Sequence, residues 1–191
     1  NFETGNPPEG WESGGKFRNS KLKMGECMKV LVIGSGGRDH TIAWKFLQSP
    51  RVKKIYVAHG NAGISQTAEC VNARSIEEML AFAAKESVDL TFVGPESPLS
   101  GGIVDLFEKE GLDIVGPSQA ASRLESSKCY AKEIMRDLGI PVADFEIFDD
   151  PDKARDYVSS VGYPVVVKPH DGHHGKGVTT NIDNEEELIE A

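Results

Sequence analysis

Residues 28–34 read MKVLVIG, a continuous apolar run that ends in glycine. Such a run is typical of a β-strand buried on both faces, as in a parallel sheet covered by helices on each side. We predict the strand over residues 29–33. The loop GSGGRDH follows, and TIAWKFLQS after it carries apolar residues at the spacing of one helix face. The first unit is therefore predicted to be a strand, a glycine-rich loop and a helix.

The same alternation continues along the chain. Further strands are predicted at residues 54–57, 89–93 and 112–115, and helices at residues 76–86, capped by Ser75, and 103–110, ended by Gly111. Strands that alternate with helices predict an open parallel α/β sheet, in which ligands bind at the carboxyl ends of the strands. The loops that begin at Gly34, Gly94 and Gly116 are expected at that edge.

The pattern changes after residue 117. Helices are predicted at residues 119–125, 127–138 and 152–160, strands at 144–148 and 164–168, and an acidic helix from about Asn184. We expect one domain over residues 28–126 and the start of an α+β domain, incomplete for catalysis, over residues 127–191. Residues 1–27 are polar and without periodicity, and are expected to be a flexible leader or tag.

Composition restricts the class of ligand. The formal net charge of −9 disfavours nucleic acid and anionic membranes as partners, so an anion is expected to be bound locally by placed cations and backbone amides. Cys27, Cys70 and Cys129 show no CxxC spacing, which favours neither a zinc site nor a disulfide framework. Because no apolar run approaches about 18 residues, we expect a cytoplasmic protein.

The loop GSGGRDH places Asp39 where a dinucleotide-binding motif has its third glycine, and no acidic residue ends the second strand, which argues against NAD. A glycine loop with Arg38 in the first helical turn suits a single phosphate; a tight turn with a solvated arginine is the alternative.

In GPESPLSGG, Glu96 is expected on a loop, where it either receives an amine or ribose hydroxyls or caps the next helix.

Residues 165–178 read VVVKPHDGHHGKGV, which predicts a strand, a glycine-rich flap and a second strand. Lysines and closely approaching backbone amides suit a nucleoside triphosphate, although a plain hairpin has the same pattern.

Lys128, in the first turn of a helix, opposes the helix dipole and so indicates either a nearby anion or a solvated side chain. His170, His173 and His174 are metal-ligand types, but adjacent histidines point apart, so no metal site is predicted and their role stays open.

Six motifs in order carry a resemblance to a known family: VLVIGSGGRDHTIAWK, AHGNAG, VGPESPLSGGIVD, IVGPSQAASRLESSKCYAKEIM, GIPVADF and VVVKPHDGHHGKGV. Together they resemble glycinamide ribonucleotide synthetase (phosphoribosylamine–glycine ligase), an ATP-grasp family of purine biosynthesis. The resemblance implies a Rossmann-like pre-ATP-grasp domain followed by the beginning of an ATP-grasp domain. Two departures are Asp39, where GREH is usual, and the histidines of the flap, which replace small apolar residues.

The resemblance also implies an activity and its residues. ATP would phosphorylate glycine, and the amine of 5-phosphoribosylamine would displace the phosphate, in a cytoplasmic enzyme that we expect to be a monomer. The ATP phosphates would be contacted by Lys128, Lys168, Gly175, Lys176 and Gly177, and the phosphoribosyl group by Gly36, Gly37, Arg38, Gly94, Pro95 and Glu96. Ligands for Mg²⁺ or Mn²⁺ are expected beyond Ala191. The alternatives are an inert short relative that binds a phosphorylated sugar or nucleotide, and another ATP-grasp carboxylate–amine ligase.

Overall fold

A computed structural model describes residues 27–170 and 177–191 of the chain. Five strands form one sheet in the order β3-β2-β1-β4-β5, and every pairing within it is parallel. The strands are β1 (Met28–Gly34), β2 (Val52–His59), β3 (Glu69–Val71), β4 (Leu90–Val93) and β5 (Ile114–Val115). The predicted open parallel α/β sheet is therefore confirmed.

The centre of the sheet is β1, whose residues Val30, Leu31, Val32 and Ile33 are all 0% exposed. Because successive side chains of a strand point to opposite faces, this run supplies two cores. Leu31 and Ile33 belong to one hydrophobic cluster, and Val30 and Val32 to the other. The continuous apolar run in the sequence thus reflects a strand covered on both sides.

The helices follow the strands as the sequence predicts. They are α1 (Gly37–Leu47), α2 (Ile76–Lys85), α3 (Glu96–Ser100), α4 (Ile103–Lys109), α5 (Gln119–Ser126), α6 (Lys128–Asp137), α7 (Pro151–Val161) and α8 (Glu185–Glu190). No helix within the described ranges combines the length and the apolar character that crossing a bilayer requires.

Local capping signals in the sequence set the helix ends. The Ser75 hydroxyl accepts a hydrogen bond from the Glu78 amide at 3.2 Å, and the Glu78 carboxylate accepts from the Ser75 amide at 3.3 Å, a capping box at the start of α2. Gly111, just beyond α4, has φ +74°, a left-handed conformation that favours glycine. The predicted cap at Ser75 and the predicted stop at Gly111 are confirmed.

The C-terminal part contains a second, two-stranded sheet. β6 (Val165–Val167) pairs antiparallel with β7 (Thr179–Ile182). The predicted strand before the flap and the strand after it are confirmed as an antiparallel pair. The residues that join them, 171–176, lie outside the described part of the chain.

Two predictions of secondary structure were wrong, and one strand was not predicted. The strand predicted at residues 144–148 does not form: these residues join neither sheet, and the Phe145 ring lies against Lys132 and Arg136 of α6, whose cationic groups are 5.2 and 4.9 Å from its centroid. The predicted loop that holds Glu96 is the short helix α3. Strand β3 was missed because Glu69 and Cys70 are exposed at the edge of the sheet and give no apolar run.

Candidate functional site

The loop between β1 and α1 turns at the carboxyl edge of the sheet. Gly34 ends β1 with φ +141°, and Gly36 is the N-cap of α1, with no side chain to cap the helix. Gly36, Gly37 and Arg38 are exposed at this edge. The predicted glycine loop at a helix N-terminus, with Arg38 in the first turn, is therefore the local structure that the chain forms.

Arg38 joins this loop to the next loop along the edge. Its guanidinium Nη2 donates a hydrogen bond of 2.6 Å to the main-chain oxygen of Gly94, which directly follows β4. Pro95 is the N-cap of α3, and Glu96 is half-buried as the first residue of that helix. The six residues predicted to hold the phosphoribosyl group thus come from two loops that one side chain connects.

A buried carboxylate lies between the same two loops. Asp39 is 5% exposed, and its Oδ2 accepts a hydrogen bond of 2.8 Å from the Gly36 amide. A Cβ atom at Gly34 or at Gly94 would overlap the Asp39 carboxyl group and force it to move, and the φ of +141° at Gly34 favours glycine there as well. In the sequence, Asp39 is only a departure from two motifs, and the acidic residue in place of a third glycine was the available signal of its position between the loops.

A third loop, after β2, is fastened to the glycine loop. Asn61 donates from Nδ2 to the Ser35 oxygen at 2.7 Å, and its Oδ1 accepts from the amides of Gly63 and Ile64 at 2.8 and 2.9 Å. The Gly60 amide also donates to the Gly34 oxygen at 3.1 Å. The motif AHGNAG therefore holds the glycine loop in place through hydrogen bonds. Asparagine and glycine are typical turn residues, but the contact with the glycine loop was not predicted from the sequence.

An open cleft of about 250 Å³ lies beside this loop, between the ends of β2 and β3. His59, Cys70, Val71, Asn72 and Arg74 line it. His59 has φ +72°, and the Arg74 guanidinium Nε donates to Asn72 Oδ1 at 3.0 Å. The sequence did not predict this cleft, because one wall of it is β3, with Cys70 and Val71, and the residues that follow that unpredicted strand.

In the C-terminal part, Lys128 is the first residue of α6. Ser127 separates α5 from α6 with extended backbone angles, and its hydroxyl accepts from the Tyr130 amide at 3.2 Å. The Arg123 guanidinium lies 4.0 Å from the Tyr130 ring centroid across this junction. Lys128 is therefore held at a defined break between two helices, as predicted for a lysine in a first helical turn.

The other residues predicted to contact ATP flank β6 and β7. Lys168 is exposed immediately after β6, and Gly177, with φ +71°, lies two residues before β7. Gly175, Lys176, His173 and His174 lie outside the described residues, and His170 is the last described residue before them.

Within the described ranges, no group of three or more His, Cys, Asp or Glu side chains is placed to hold a metal ion.

Two family models match the chain in succession. Phosphoribosylglycinamide synthetase, N domain, matches residues 28–125, and phosphoribosylglycinamide synthetase, ATP-grasp (A) domain, matches residues 126–191. A phosphoribosylamine–glycine ligase of Halalkalibacterium halodurans is 49% identical over 163 residues, which are 84% of this chain and 38% of that protein. One of Caldanaerobacter subterraneus is 51% identical over 153 residues, or 79% of this chain and 37% of that protein.

Solved structures show the same likeness. The phosphoribosylamine–glycine ligase of Thermotoga maritima superposes with a TM-score of 0.67 at 28% identity, over 85% of this chain and 38% of that one. The N5-carboxyaminoimidazole ribonucleotide synthetase of Thermotoga maritima gives a TM-score of 0.63 at 24% identity, over 86% of this chain and 43% of that one, a likeness of fold. The chain thus spans less than half the length of the relatives it matches.

Proposed function

Because this chain belongs to the phosphoribosylglycinamide synthetase family, we propose that the protein joins glycine to 5-phosphoribosylamine with cleavage of ATP to ADP and phosphate. The observation that carries the proposal is the 49% identity to a phosphoribosylamine–glycine ligase over 84% of the chain. The two successive family matches, which leave no gap between residues 28 and 191, support it.

The reaction proceeds in two steps. A glycine carboxylate oxygen attacks the γ-phosphorus of ATP, so that ADP leaves and glycyl phosphate forms. The amine of phosphoribosylamine then attacks the carbonyl carbon, the C–O bond to phosphate breaks, and the amine loses a proton. The reaction needs no covalent bond to the protein. The protein positions the reactants and stabilises the negative charge on the phosphoryl group during its transfer.

The phosphoribosyl group is received at the carboxyl edge of the five-stranded sheet. Gly36, Gly37 and Arg38 supply one loop, and Gly94, Pro95 and Glu96 the other. The hydrogen bond from Arg38 to the Gly94 oxygen supports this assignment, because it holds the two loops together beside the strand ends where open α/β sheets bind ligands. The half-buried Glu96 carboxylate accepts hydrogen bonds that the ribose hydroxyls or the amine donate.

ATP is received by the C-terminal part of the chain. Lys128, at the start of α6, and Lys168, after β6, neutralise its phosphates. Gly175, Lys176 and Gly177 cover the phosphates as a flap between β6 and β7, and the antiparallel pairing of these strands supports that role. A divalent cation, magnesium or manganese, supplies further charge neutralisation when bound; none of the described residues is assigned to it.

The domain organisation follows the same division. Residues 28–126 form the domain that binds the phosphoribosyl substrate, and residues 127–191 belong to the domain that binds ATP. The break in helical structure at Ser127 and the change of family match between residues 125 and 126 support this boundary. We also propose that the protein acts as a monomer in the cytoplasm.

An assay of phosphate release by the full-length protein tests the proposal. Release from ATP is expected only when glycine and phosphoribosylamine are both present. Release that needs glycine but accepts another amine instead would identify a different carboxylate–amine ligase. Binding of ribose 5-phosphate without any release of phosphate would identify an inert relative. Either result would overturn the proposed reaction.

A further inference from the structure

The glycine loop contains a buried acid that the proposed function leaves without a role. Asp39 lies in the first turn of α1 and is 5% exposed. Its carboxyl group fills the space that a Cβ would need at both Gly34 and Gly94. Asp39 therefore sits between the ends of β1 and β4, against the two loops to which the phosphoribosyl group is assigned.

The two oxygens of Asp39 have different surroundings. Oδ2 accepts the Gly36 amide at 2.8 Å. Oδ1 is buried without a hydrogen-bond donor anywhere in the described part of the chain. The free amides and the dipole at a helix N-terminus ordinarily attract an anion. At α1 the protein supplies that anion itself, and the Gly36 amide is already engaged.

The cation of this loop is engaged as well. Arg38 Nη2 donates to the Gly94 oxygen at 2.6 Å. A phosphate could bind the Gly36 amide only by displacing Asp39, and at the neighbouring amides of the helix N-terminus it would lie close to the Asp39 carboxylate. Ribose hydroxyls carry no charge, and they can donate hydrogen bonds to carboxylate and main-chain oxygens.

We propose that Asp39 is a specificity-determining residue, whose buried carboxylate excludes phosphate from the glycine loop, so that the loop receives the ribose and the 5′-phosphate lies away from it. The proposal rests on the proposed function for the identity of the substrate. It concerns only the orientation of the phosphoribosyl group, and its test can therefore fail or succeed separately from the ligase activity.

Calorimetry on this chain with inorganic phosphate tests the exclusion. Asp39→Asn keeps the shape and the acceptor for the Gly36 amide but removes the charge. We expect it to tighten phosphate binding by about tenfold or more, the factor that corresponds to about 1.4 kcal/mol. The matched control Glu108→Gln, which removes an exposed acid on α4, is expected to leave phosphate binding unchanged. Unchanged or weaker phosphate binding by a folded Asp39→Asn variant would overturn the proposal.

A second measurement uses the unaltered chain. It therefore tests the exclusion of phosphate from the glycine loop even if the Asp39→Asn variant does not fold. In ¹⁵N-resolved NMR titrations, ribose 5-phosphate is expected to shift the amide signals of Gly37 and Arg38, and inorganic phosphate at the same concentration is not. Saturable shifts with inorganic phosphate alone would overturn the exclusion. Absence of shifts with ribose 5-phosphate would overturn the placement of the substrate, whereas the calorimetry would still decide whether Asp39 repels phosphate.

Discussion

Arg38 donates a hydrogen bond of 2.6 Å to the main-chain oxygen of Gly94, a residue 56 positions further along the chain. The bond connects the loop after β1 to the loop after β4, and thereby makes one surface of two separate motifs. Strands β1 and β4 are neighbours in the sheet, so their loops emerge side by side. This contact is the structural basis for assigning both loops to one substrate.

Arg38→Ala is expected to raise the KM for phosphoribosylamine by about tenfold, because it removes the hydrogen bond that holds together the two loops assigned to that substrate, a bond of about 1.5–3 kcal/mol. The KM for ATP should change little, because the residues assigned to ATP belong to the C-terminal part of the chain, from Lys128 onward. Steady-state kinetics with each substrate varied in turn checks this split. Arg51→Ala, an exposed arginine at the opposite edge of the sheet, is the control, and an equal effect of the two variants would contradict the assignment.

Gly94→Ala is expected to destabilise the fold by about 1–3 kcal/mol, because the added Cβ would overlap the buried Asp39 carboxyl group. Gly37→Ala is the matched control, since a Cβ there meets nothing within 4 Å and alanine is the better helix former. Urea unfolding of both variants measures the difference. Equal stability of the two would show that Asp39 does not pack against Gly94 as described.

The capping box of α2 gives a pH-dependent prediction. The amides of Arg74 and Ser75 donate to the Glu78 carboxylate and hold its pKa below the ordinary value of 4.5. A lowered pKa in the folded state means that the stabilisation is complete above pH 4.5 and is lost as the pH falls through the lowered value. The free energy of unfolding should therefore differ between the wild type and Glu78→Gln most above pH 4.5. A difference that persists unchanged in acid would contradict this role.

Lys168→Ala is expected to weaken ATP binding by about tenfold, because it removes a point charge assigned to the phosphates. His173→Ala should weaken ATP binding less. Calorimetric titration of both variants with ATP compares them, and Lys153→Ala on α7 serves as a control for the loss of one exposed lysine. The reverse order of effects would mean that the imidazole, rather than the lysine, contacts the nucleotide.

Local signals in the sequence predicted most of the fold. The apolar residues that determine β1 are contiguous in the sequence, and the serine and glutamate that cap α2 are three residues apart. Both elements could therefore be predicted from local sequence. Strand β3 was not predicted because its pairing with β2, and not an apolar run, decides its conformation. The strand predicted at residues 144–148 was wrong: those residues join neither sheet, and Phe145 lies against the cations of α6. These outcomes depend on contacts that are distant in sequence.

The site was predictable only in part, for the same reason. The glycine loop and Glu96 are assigned to the candidate site from residue types next to strand ends, and that assignment stays a prediction. The contact of Arg38 with Gly94 and the burial of Asp39 depend on which strands are neighbours, and the motifs do not contain that information. The cleft beside His59 and Arg74 also required the position of β3.

The central claim is that the protein activates the glycine carboxylate by phosphorylation and then transfers the glycyl group to phosphoribosylamine. Turnover of glycine labelled with ¹⁸O in both carboxylate oxygens tests it most directly, by mass analysis of the released phosphate. If glycyl phosphate forms and the amine displaces it, each released phosphate carries one ¹⁸O atom, and release requires phosphoribosylamine. Release of unlabelled phosphate would show that water, rather than glycine, accepts the phosphoryl group, and would contradict the account.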